Sequence, residues 1–165
     1  AEGLRSRAID IAVLVGRSDP SLGETMELWE ERMYVALPAE HRFSRHEALR
    51  WADLRDEVFL VSTRDAGPDQ HSTIAANLRG IGTVAATRTH SVSRATMYQM
   101  ISLGLGIALA MDSDLATIPD GVVIVTLLDD DGEALAPFTA YRNPSNDNPA
   151  LRRFWSDLKK RYGAS

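Results

Sequence analysis

One stretch, residues 93–112, constrains the fold more than any other, because a helix, a turn and a strand follow one another in it. Its sequence is SRATMYQMISLGLGIALAMD. Apolar residues recur at helical spacing up to Leu103, and Ser93 precedes them as a side-chain cap. Gly104 stands where a helix ends in a left-handed residue, and residues 106–110 are typical of a short buried strand. This order predicts one half-turn of an α/β fold.

The two glycines of this stretch are not predicted to bind phosphate. A phosphate-binding glycine loop follows a strand and opens a helix, whose N-terminus faces the anion. Here Gly104 and Gly106 follow the helix and precede the strand. They are therefore expected to cap the helix and turn the chain.

Length and composition exclude several classes of protein. The chain has 165 residues, which fits one ordinary domain or two small lobes. Its net charge of −5 argues against binding of a phosphate backbone by this chain alone. Cysteine is absent, which excludes disulfides and suits a reducing, cytoplasmic compartment. No apolar run approaches the roughly 20 residues needed to span a bilayer, so no membrane partner is expected.

Helices and strands alternate over residues 51–127, and this pattern predicts an α/β fold with mainly parallel sheets. The last helix, after Pro149, is expected to be amphipathic. Its apolar face would contain Leu151, Phe154, Trp155, Leu158 and Tyr162, and Trp29, Trp51 and Trp155 are expected to be core or lobe-interface anchors. The other predicted elements are strands at 9–15, 25–30, 32–37, 58–61, 83–90, 122–127 and 138–142, a helical turn at 51–54 and a helix at 69–78.

Four motifs then suggest a family. They are Arg7–Val13, Met33–His41, Trp51–Leu60 and Met100–Leu109. Together, in this order, they resemble the effector-binding (regulatory) domain of LysR-type transcriptional regulators. Two turns depart from the family pattern: Arg42-Phe43-Ser44 replaces Pro-Leu-Ala, and Met111-Asp112 replaces a proline.

The resemblance implies a two-lobed, periplasmic-binding-protein-like fold with an incomplete lobe one. Lobe one would contain residues 1–37 and 138–165, and lobe two residues 40–135, with crossovers near 33–39 and 136–141. The family's opening strand, helix and second strand, and its N-terminal DNA-binding domain, are not in this sequence, whose first ten residues look like the end of a helix. The strand at 9–15 would then be a sheet edge that favours association, so a homo-oligomer is expected.

Ligands of this fold bind between the lobes, at the carboxyl ends of strands and at helix N-termini. Three loops, at 16–18, 62–70 and 91–94, offer hydroxyls, arginines and free helix N–H groups, which suit a small anion. Purely structural roles for these residues stay open. Ser93 and Asp69 are also typical of helix caps, and Arg17 and Arg94 are also typical of solvated surface side chains. The predicted effector-binding residues are Arg17, Ser62, Thr63, Arg64, Pro68, Asp69, Gln70, Ser93 and Arg94.

Catalytic and metal sites are not expected, and no cofactor is predicted. The four histidines are scattered and lack metal-ligand spacing, and His71-Ser72 lacks a nucleophile elbow. Residues 129–131 are three aspartates that precede a glycine, which is typical of a solvated turn.

The sequence therefore predicts a non-enzymatic domain that senses a small, anionic effector. It would control DNA-bound activity through a separate N-terminal domain, by binding one conformation better than another. The alternative is a solute-binding protein of the periplasmic type, which a secretory signal would distinguish. An enzyme of the same fold, such as a prephenate-dehydratase-like or deaminase-like lyase, would need a general acid that the sequence does not offer.

Overall fold

The computed structural model describes residues 2–6, 8–16, 18–64 and 67–163, and it divides into two compact units. Unit 1 contains residues 1–30 and 137–165, and unit 2 contains residues 31–136. The first division point lies just ahead of the crossover expected at 33–39, and the second lies at the start of the one expected at 136–141. Two strands, β2 (Glu24–Pro38) and β8 (Leu135–Arg142), contribute residues to both units. In chain order the elements are α1 (Glu2–Arg5), β1 (Ile11–Val15), β2 (Glu24–Pro38), β3 (Ala48–Arg50), β4 (Val58–Ser62), α2 (Gly67–Gly80), β5 (Ala86–His90), α3 (Arg94–Ser102), β6 (Ala108–Met111), β7 (Val122–Leu128), β8 (Leu135–Arg142) and α4 (Pro149–Tyr162).

In unit 1, β8 lies between β1 and β2. The β1–β8 pair is antiparallel, with Ile11 opposite Arg142 and Val15 opposite Phe138. Among the described residues β1 has a strand on one side only, and Val13 is 47% exposed. The edge position expected for this apolar strand is thus present, while its use in association stays a prediction.

The helix α4 packs on this sheet, but not every residue of its predicted apolar face is buried there. It begins at Asn148, whose side chain accepts a hydrogen bond from the Ala150 N–H at 3.0 Å. Leu151 and Trp155 are buried, and Trp155 packs with Met26 and Ala140. Phe154, however, is 52% exposed, so its assignment to the buried face is wrong. It directly precedes Trp155 and is therefore rotated by about 100° around the helix, away from the sheet.

The strand β2 corrects one prediction. Two extended segments joined near Glu31 were expected, and the structure has one strand of 15 residues. The chain remains extended because the strand exchanges partners along its length: it neighbours β8 in unit 1 and pairs with β6 and β7 in unit 2. Trp29, in the unit 1 part, is 41% exposed and stacks on Phe138 with ring centroids 4.8 Å apart.

The predicted α/β class is confirmed, but parallel pairings do not predominate among the described strands as expected, because β1 pairs antiparallel with β8 and the long β2 pairs antiparallel with its partners in unit 2. The long strand β2 runs antiparallel to both β6 and β7. The parallel pairs are β3 with β7 and β4 with β5, and Phe59 of β4 also forms a parallel bridge with Ile107. The core of the unit forms where α3 packs on these strands, through Met97, Tyr98, Ile101, Leu60, Ala108 and Ala110.

The end of α3 has the predicted geometry. Gly104 has a φ of +77°, its N–H donates to Ile101 O at 2.8 Å, and the Leu105 N–H donates to Met100 O at 3.2 Å. These two hydrogen bonds define a Schellman motif, which requires a left-handed residue at this position. Two residues later the chain passes so close to β4 that a Cβ at Gly106 would lie 2.6 Å from the Val58 carbonyl oxygen.

Glu24 is the main electrostatic contact of unit 1. Its carboxylate accepts hydrogen bonds from Arg142 Nε at 2.7 Å, from Trp155 Nε1 at 3.1 Å and from Lys159 Nζ at 3.3 Å. Burial raises the pKa of this carboxyl group, but the hydrogen bonds from Arg142, Lys159 and Trp155 together lower it below its ordinary value of 4.5. The ionised form therefore stabilises the folded state.

We expect Glu24→Gln to lower the free energy of unfolding by about 1 kcal/mol at neutral pH, because the amide accepts these donors less strongly. A lowered pKa in the folded state gives a stabilisation that is complete above the unfolded-state pKa and is lost as pH falls through the folded-state value. Urea unfolding should thus show a smaller difference between the two proteins at pH 3 than at pH 7. The control is Glu27→Gln, an exposed residue of the same strand; an equal loss in that variant would contradict the role of Glu24.

Candidate effector site

Three loops of unit 2 leave its strands at the same edge. In the parallel pair of β4 and β5, Ser62 lies opposite His90, so both strands end together. The bridge between Phe59 and Ile107 brings the start of β6 beside β4 in the same direction. The loops after β4, β5 and β6 therefore meet at the carboxyl edge, which is where ligands bind in open α/β sheets.

Ser62 ends β4 and is 8% exposed. Its hydroxyl donates to Val92 O at 2.9 Å and accepts from the Arg64 N–H at 2.9 Å. The next residue, Thr63, is exposed, and its N–H donates to His90 O at 3.0 Å. These bonds fix the loops after β4 and β5 to each other. Since the Ser62 hydroxyl proton is already used, a ligand anion would need other donors.

The structure assigns helix-terminal positions to several of the predicted site residues. Ser93 is the N-cap of α3, and its hydroxyl accepts from the Thr96 N–H at 3.2 Å. Asp69 lies inside the first turn of α2, so the cap position considered for it is wrong. The helix begins two residues earlier than expected, at Gly67, because proline at position 68 is compatible with a first helical turn. The Pro68 side chain and the whole of Arg17 lie outside what the structure describes.

Arg94 is the centre of the site. It is the first residue of α3, and its Nε lies 2.6 Å from Asp114 Oδ1. On its other side is Gln70, which is 7% exposed. With the Gln70 amide oriented so that its oxygen faces the guanidinium, that oxygen accepts from Arg94 Nη1 at 3.1 Å and also from Nη2. Arg94 was predicted to be either a solvated side chain or a free cation for a ligand. In the structure it is instead paired with Asp114 and Gln70 within unit 2.

Asp114 is the partner that the sequence did not reveal. It lies in a 3-10 helix, Asp112–Thr117, directly after β6, and its side chain is 9% exposed. Its second oxygen, Oδ2, accepts from the Met111 N–H at 2.9 Å. The carboxylate is therefore held by the backbone on one side and by Arg94 on the other.

The loop that carries Asp114 is anchored to β2 through Asp112. The Arg32 N–H donates to Asp112 Oδ2 at 2.9 Å, and the Tyr34 hydroxyl donates to Oδ1 at 2.8 Å. The backbone hydrogen bond from Arg32 is the largest cause that lowers the pKa of Asp112, and the Tyr34 hydroxyl and the Arg32 guanidinium add to it against a smaller effect of burial. Asp112 thus stays ionised and fixes the position of the third loop.

Tyr98 lies one turn after Arg94 on the same face of α3 and is 1% exposed. Its hydroxyl makes no hydrogen bond of good geometry with any residue that the structure describes. Burial raises the pKa of Tyr98 well above its ordinary value; Arg94 opposes the rise and the Asp114 carboxylate adds to it. The neutral, buried Tyr98 hydroxyl thus lies near the Arg94–Asp114 pair without a well-formed hydrogen bond to the described residues.

These side chains surround one pocket. Its free volume is about 10 Å³, which is room for about one water molecule. The lining residues are Ser62, Arg64, Gln70, Arg94, Met97, Tyr98 and Leu109. Four of the nine predicted residues thus meet here, and Thr63, Asp69 and Ser93 do not line the pocket. Tyr98 could have been found from its i+4 spacing to Arg94, but the local sequence around Asp114 gives no such signal.

The described residues show no alternative chemical centre. None of their His, Asp and Glu side chains form a group of three or more that could hold a metal ion. His41 Nε2 lies 3.2 Å from Glu57 Oε2, and the other carboxylate oxygen, Glu57 Oε1, accepts from Arg42 Nη2 at 2.7 Å. At the acidic turn, Asp129 Oδ1 accepts from the Asp131 N–H at 2.9 Å, and the turn is solvated as expected.

Comparison with known proteins identifies the family. The profile of the LysR substrate binding domain matches residues 1–163. The chain therefore belongs to the LysR substrate binding domain family, whose members are domains of transcriptional regulators. None of the described helices is long and apolar enough to cross a membrane. No curated protein matches the sequence.

Solved structures show the same fold at low sequence identity. An OxyR C206 mutant from Corynebacterium glutamicum has a TM-score of 0.73 and 22% identity over 98% of this chain and 50% of its own. CbnR, a LysR family transcriptional regulator, has a TM-score of 0.74 and 14% identity over 98% of this chain and 55% of its own. The regulatory domain of CcmR from Synechocystis PCC6803, in complex with 2-PG, has a TM-score of 0.75 and 11% identity over 99% of this chain and 78% of its own. The chain thus spans about half the length of the OxyR and CbnR chains.

Proposed function

We propose that this chain is the effector-sensing domain of a bacterial LysR-type regulator and that it binds a small organic anion at the carboxyl edge of unit 2. Occupancy of the site would favour one conformation over another and so control a DNA-binding domain elsewhere in the protein. The relation to regulators and not to enzymes supports a sensing role.

The observation that carries the proposal is the convergence of Ser62, Arg64, Gln70 and Arg94 around one pocket. They come from the end of β4, from the loop that follows it and from the first turns of α2 and α3, and helix N-termini favour negative charge. Arg64 is exposed, has no carboxylate partner among the described residues, and can rotate toward a ligand. We assign it the role of the cation that meets the anion.

Two further features support an anionic ligand, as a proposal. The CcmR regulatory domain of the same fold was solved in complex with 2-PG. The exposed Thr63 directly follows Ser62, which lines the pocket, and we propose that its hydroxyl adds a contact once a ligand is present. A contribution from unit 1, including Arg17, is an expectation of the family resemblance and remains a prediction.

We expect Arg64→Gln to weaken binding of carboxylates by about tenfold, because one charge-assisted hydrogen bond is lost. The measurement is calorimetry on the full-length regulator with a panel of small carboxylates. Arg45→Gln is the matched control. Arg45 is also an exposed residue of unit 2, and its substitution removes the same charge at a position that does not line the pocket. Equal affinities in wild type and Arg64→Gln, or an equal loss in both variants, would contradict the proposed site.

A further inference from the structure

We propose that Asp114 determines the charge selectivity of the effector site: by holding Arg94 in an ion pair, it makes the pocket select ligands with one negative charge over ligands with two. This inference rests on the proposed function of the pocket and deepens it. It identifies a specificity-determining residue that does not itself line the pocket.

The first step is the state of Arg94. Its Nε is 2.6 Å from the Asp114 carboxylate, and two of its other nitrogens face the Gln70 oxygen. Gln70 is 93% buried and Asp114 is 91% buried at its side chain, so water competes little for these contacts. A second carboxylate of a ligand would have to displace an internal carboxylate that is already well placed.

The second step is the charge that the pocket presents. Arg64 and Arg94 contribute two positive charges, and Asp114 neutralises one of them. The remaining positive charge is on Arg64, which is exposed. One anionic group is therefore matched, whereas a second one would approach Arg94, whose positive charge the buried Asp114 carboxylate behind it already compensates.

The third step concerns the hydrogen-bond donors that the pocket offers to uncharged parts of a ligand. The Tyr98 hydroxyl is buried in the wall of the pocket near the Asp114 carboxylate, has no well-formed hydrogen bond to the described residues, and adjoins a free volume that admits about one water molecule. Arg94 has five N–H donors, of which Asp114 and Gln70 take only some. An uncharged acceptor, such as a hydroxyl or carbonyl oxygen, can use these donors without breaking the Arg94–Asp114 pair.

Asp114 keeps Arg94 as its partner because its own carboxylate is held in place by the backbone. Its other oxygen accepts from the buried Met111 N–H, and the loop that carries it is fixed to β2 through Asp112. The carboxylate therefore cannot swing away to admit a competing anion. Selectivity by a fixed repulsive group is a common way for a site to reject a close analogue.

The test compares two four-carbon probes, butyrate with one carboxylate and succinate with two, by calorimetry on the full-length regulator. Wild type should bind butyrate more tightly than succinate. In Asp114→Asn the preference should shift by about tenfold or more toward succinate, because Arg94 becomes free to pair with the second carboxylate. Asparagine is similar in shape and keeps an oxygen for the Met111 N–H, so the loop should be retained.

Two controls make the result specific. Asp120→Asn removes the same charge from an exposed position of unit 2, and its preference should equal that of wild type. The double variant Asp114→Asn/Arg94→Gln should lose the gain in succinate binding. Thermal unfolding and circular dichroism check that each variant is folded. If Asp114→Asn does not fold, the comparison of the two probes in wild type decides alone. Tighter binding of succinate than of butyrate by wild type then overturns the inference.

The inference would also be overturned if the ratio of butyrate affinity to succinate affinity in Asp114→Asn equals that of wild type. The same holds if neither protein binds either probe. The proposed function fails in a different way. If wild type binds carboxylates and depends on Arg64, but Asp114→Asn does not alter the preference, the sensing role stands and the role of Asp114 is wrong. If no carboxylate binds to any of these proteins, the anionic effector itself is wrong.

Discussion

Gly106→Val should destabilise the protein by about 3 kcal/mol. A Cβ at this position would lie 2.6 Å from the Val58 carbonyl oxygen and 3.0 Å from the Leu60 side chain. The same carbonyl accepts from the Ile107 N–H at 3.0 Å, and the Leu60 N–H donates to Ile107 O at 2.7 Å. Any shift that relieves the clash therefore also breaks the contact that links β4 to the start of β6. The measurement is the free energy of unfolding in urea.

Gly104→Ala is the matched control for this experiment. Its φ of +77° disfavours alanine, but a Cβ there would meet nothing within 4 Å. The expected loss is about 1 kcal/mol, which comes from backbone conformation alone. Equal losses in the two variants would show that close packing at Gly106 is not important, and an unchanged stability of Gly106→Val would contradict the packed turn altogether.

Arg94→Ala should also be strongly destabilising, by about 3 kcal/mol, because it leaves the Asp114 carboxylate buried without its cation. The Gln70 oxygen loses its donors at the same time. The double variant Arg94→Ala/Asp114→Ala should be more stable than Arg94→Ala, since no unpaired charge then remains. Guanidinium unfolding of the two single variants and the double variant measures the coupling.

Arg45→Ala, which removes an exposed arginine of the same unit, should change the stability by less than about 0.5 kcal/mol. If Arg94→Ala is as stable as this control, the buried ion pair does not contribute to the fold. This expectation also affects how ligand binding is measured. A loss of affinity in Arg94→Ala would combine a lost contact with a damaged site, so Arg64 and Asp114 are the more informative positions.

The sequence alone determined most of the local structure and the family. Ser93, the helical spacing after it and Gly104 define α3, because capping and left-handed termination depend on residues close in the chain. Both ends of this helix were predicted as observed. The α/β class follows from the alternation of elements, and the order of four motifs identified the LysR family that the profile match confirms.

Sequence reasoning was less accurate where a neighbour decides the outcome. The extent of β2 depends on which strands it meets in each unit, so its continuity through Glu31 was not visible locally. The exposure of Phe154 depends on which face of α4 packs on the sheet, and that face is the one with Trp155. In both cases the residue pattern permits two answers, and tertiary packing selects one.

The candidate site shows the same division. The loops after β4 and β5 were identified from the sequence, since polar residues follow the predicted strands there. Only the tertiary structure places Asp114 against Arg94, 20 residues earlier in the chain, because the parallel arrangement of β4, β5 and the start of β6 brings their carboxyl ends to one edge. Residue types thus determined which groups are available, and the strand arrangement decided that Arg94 is a paired charge and not a free one.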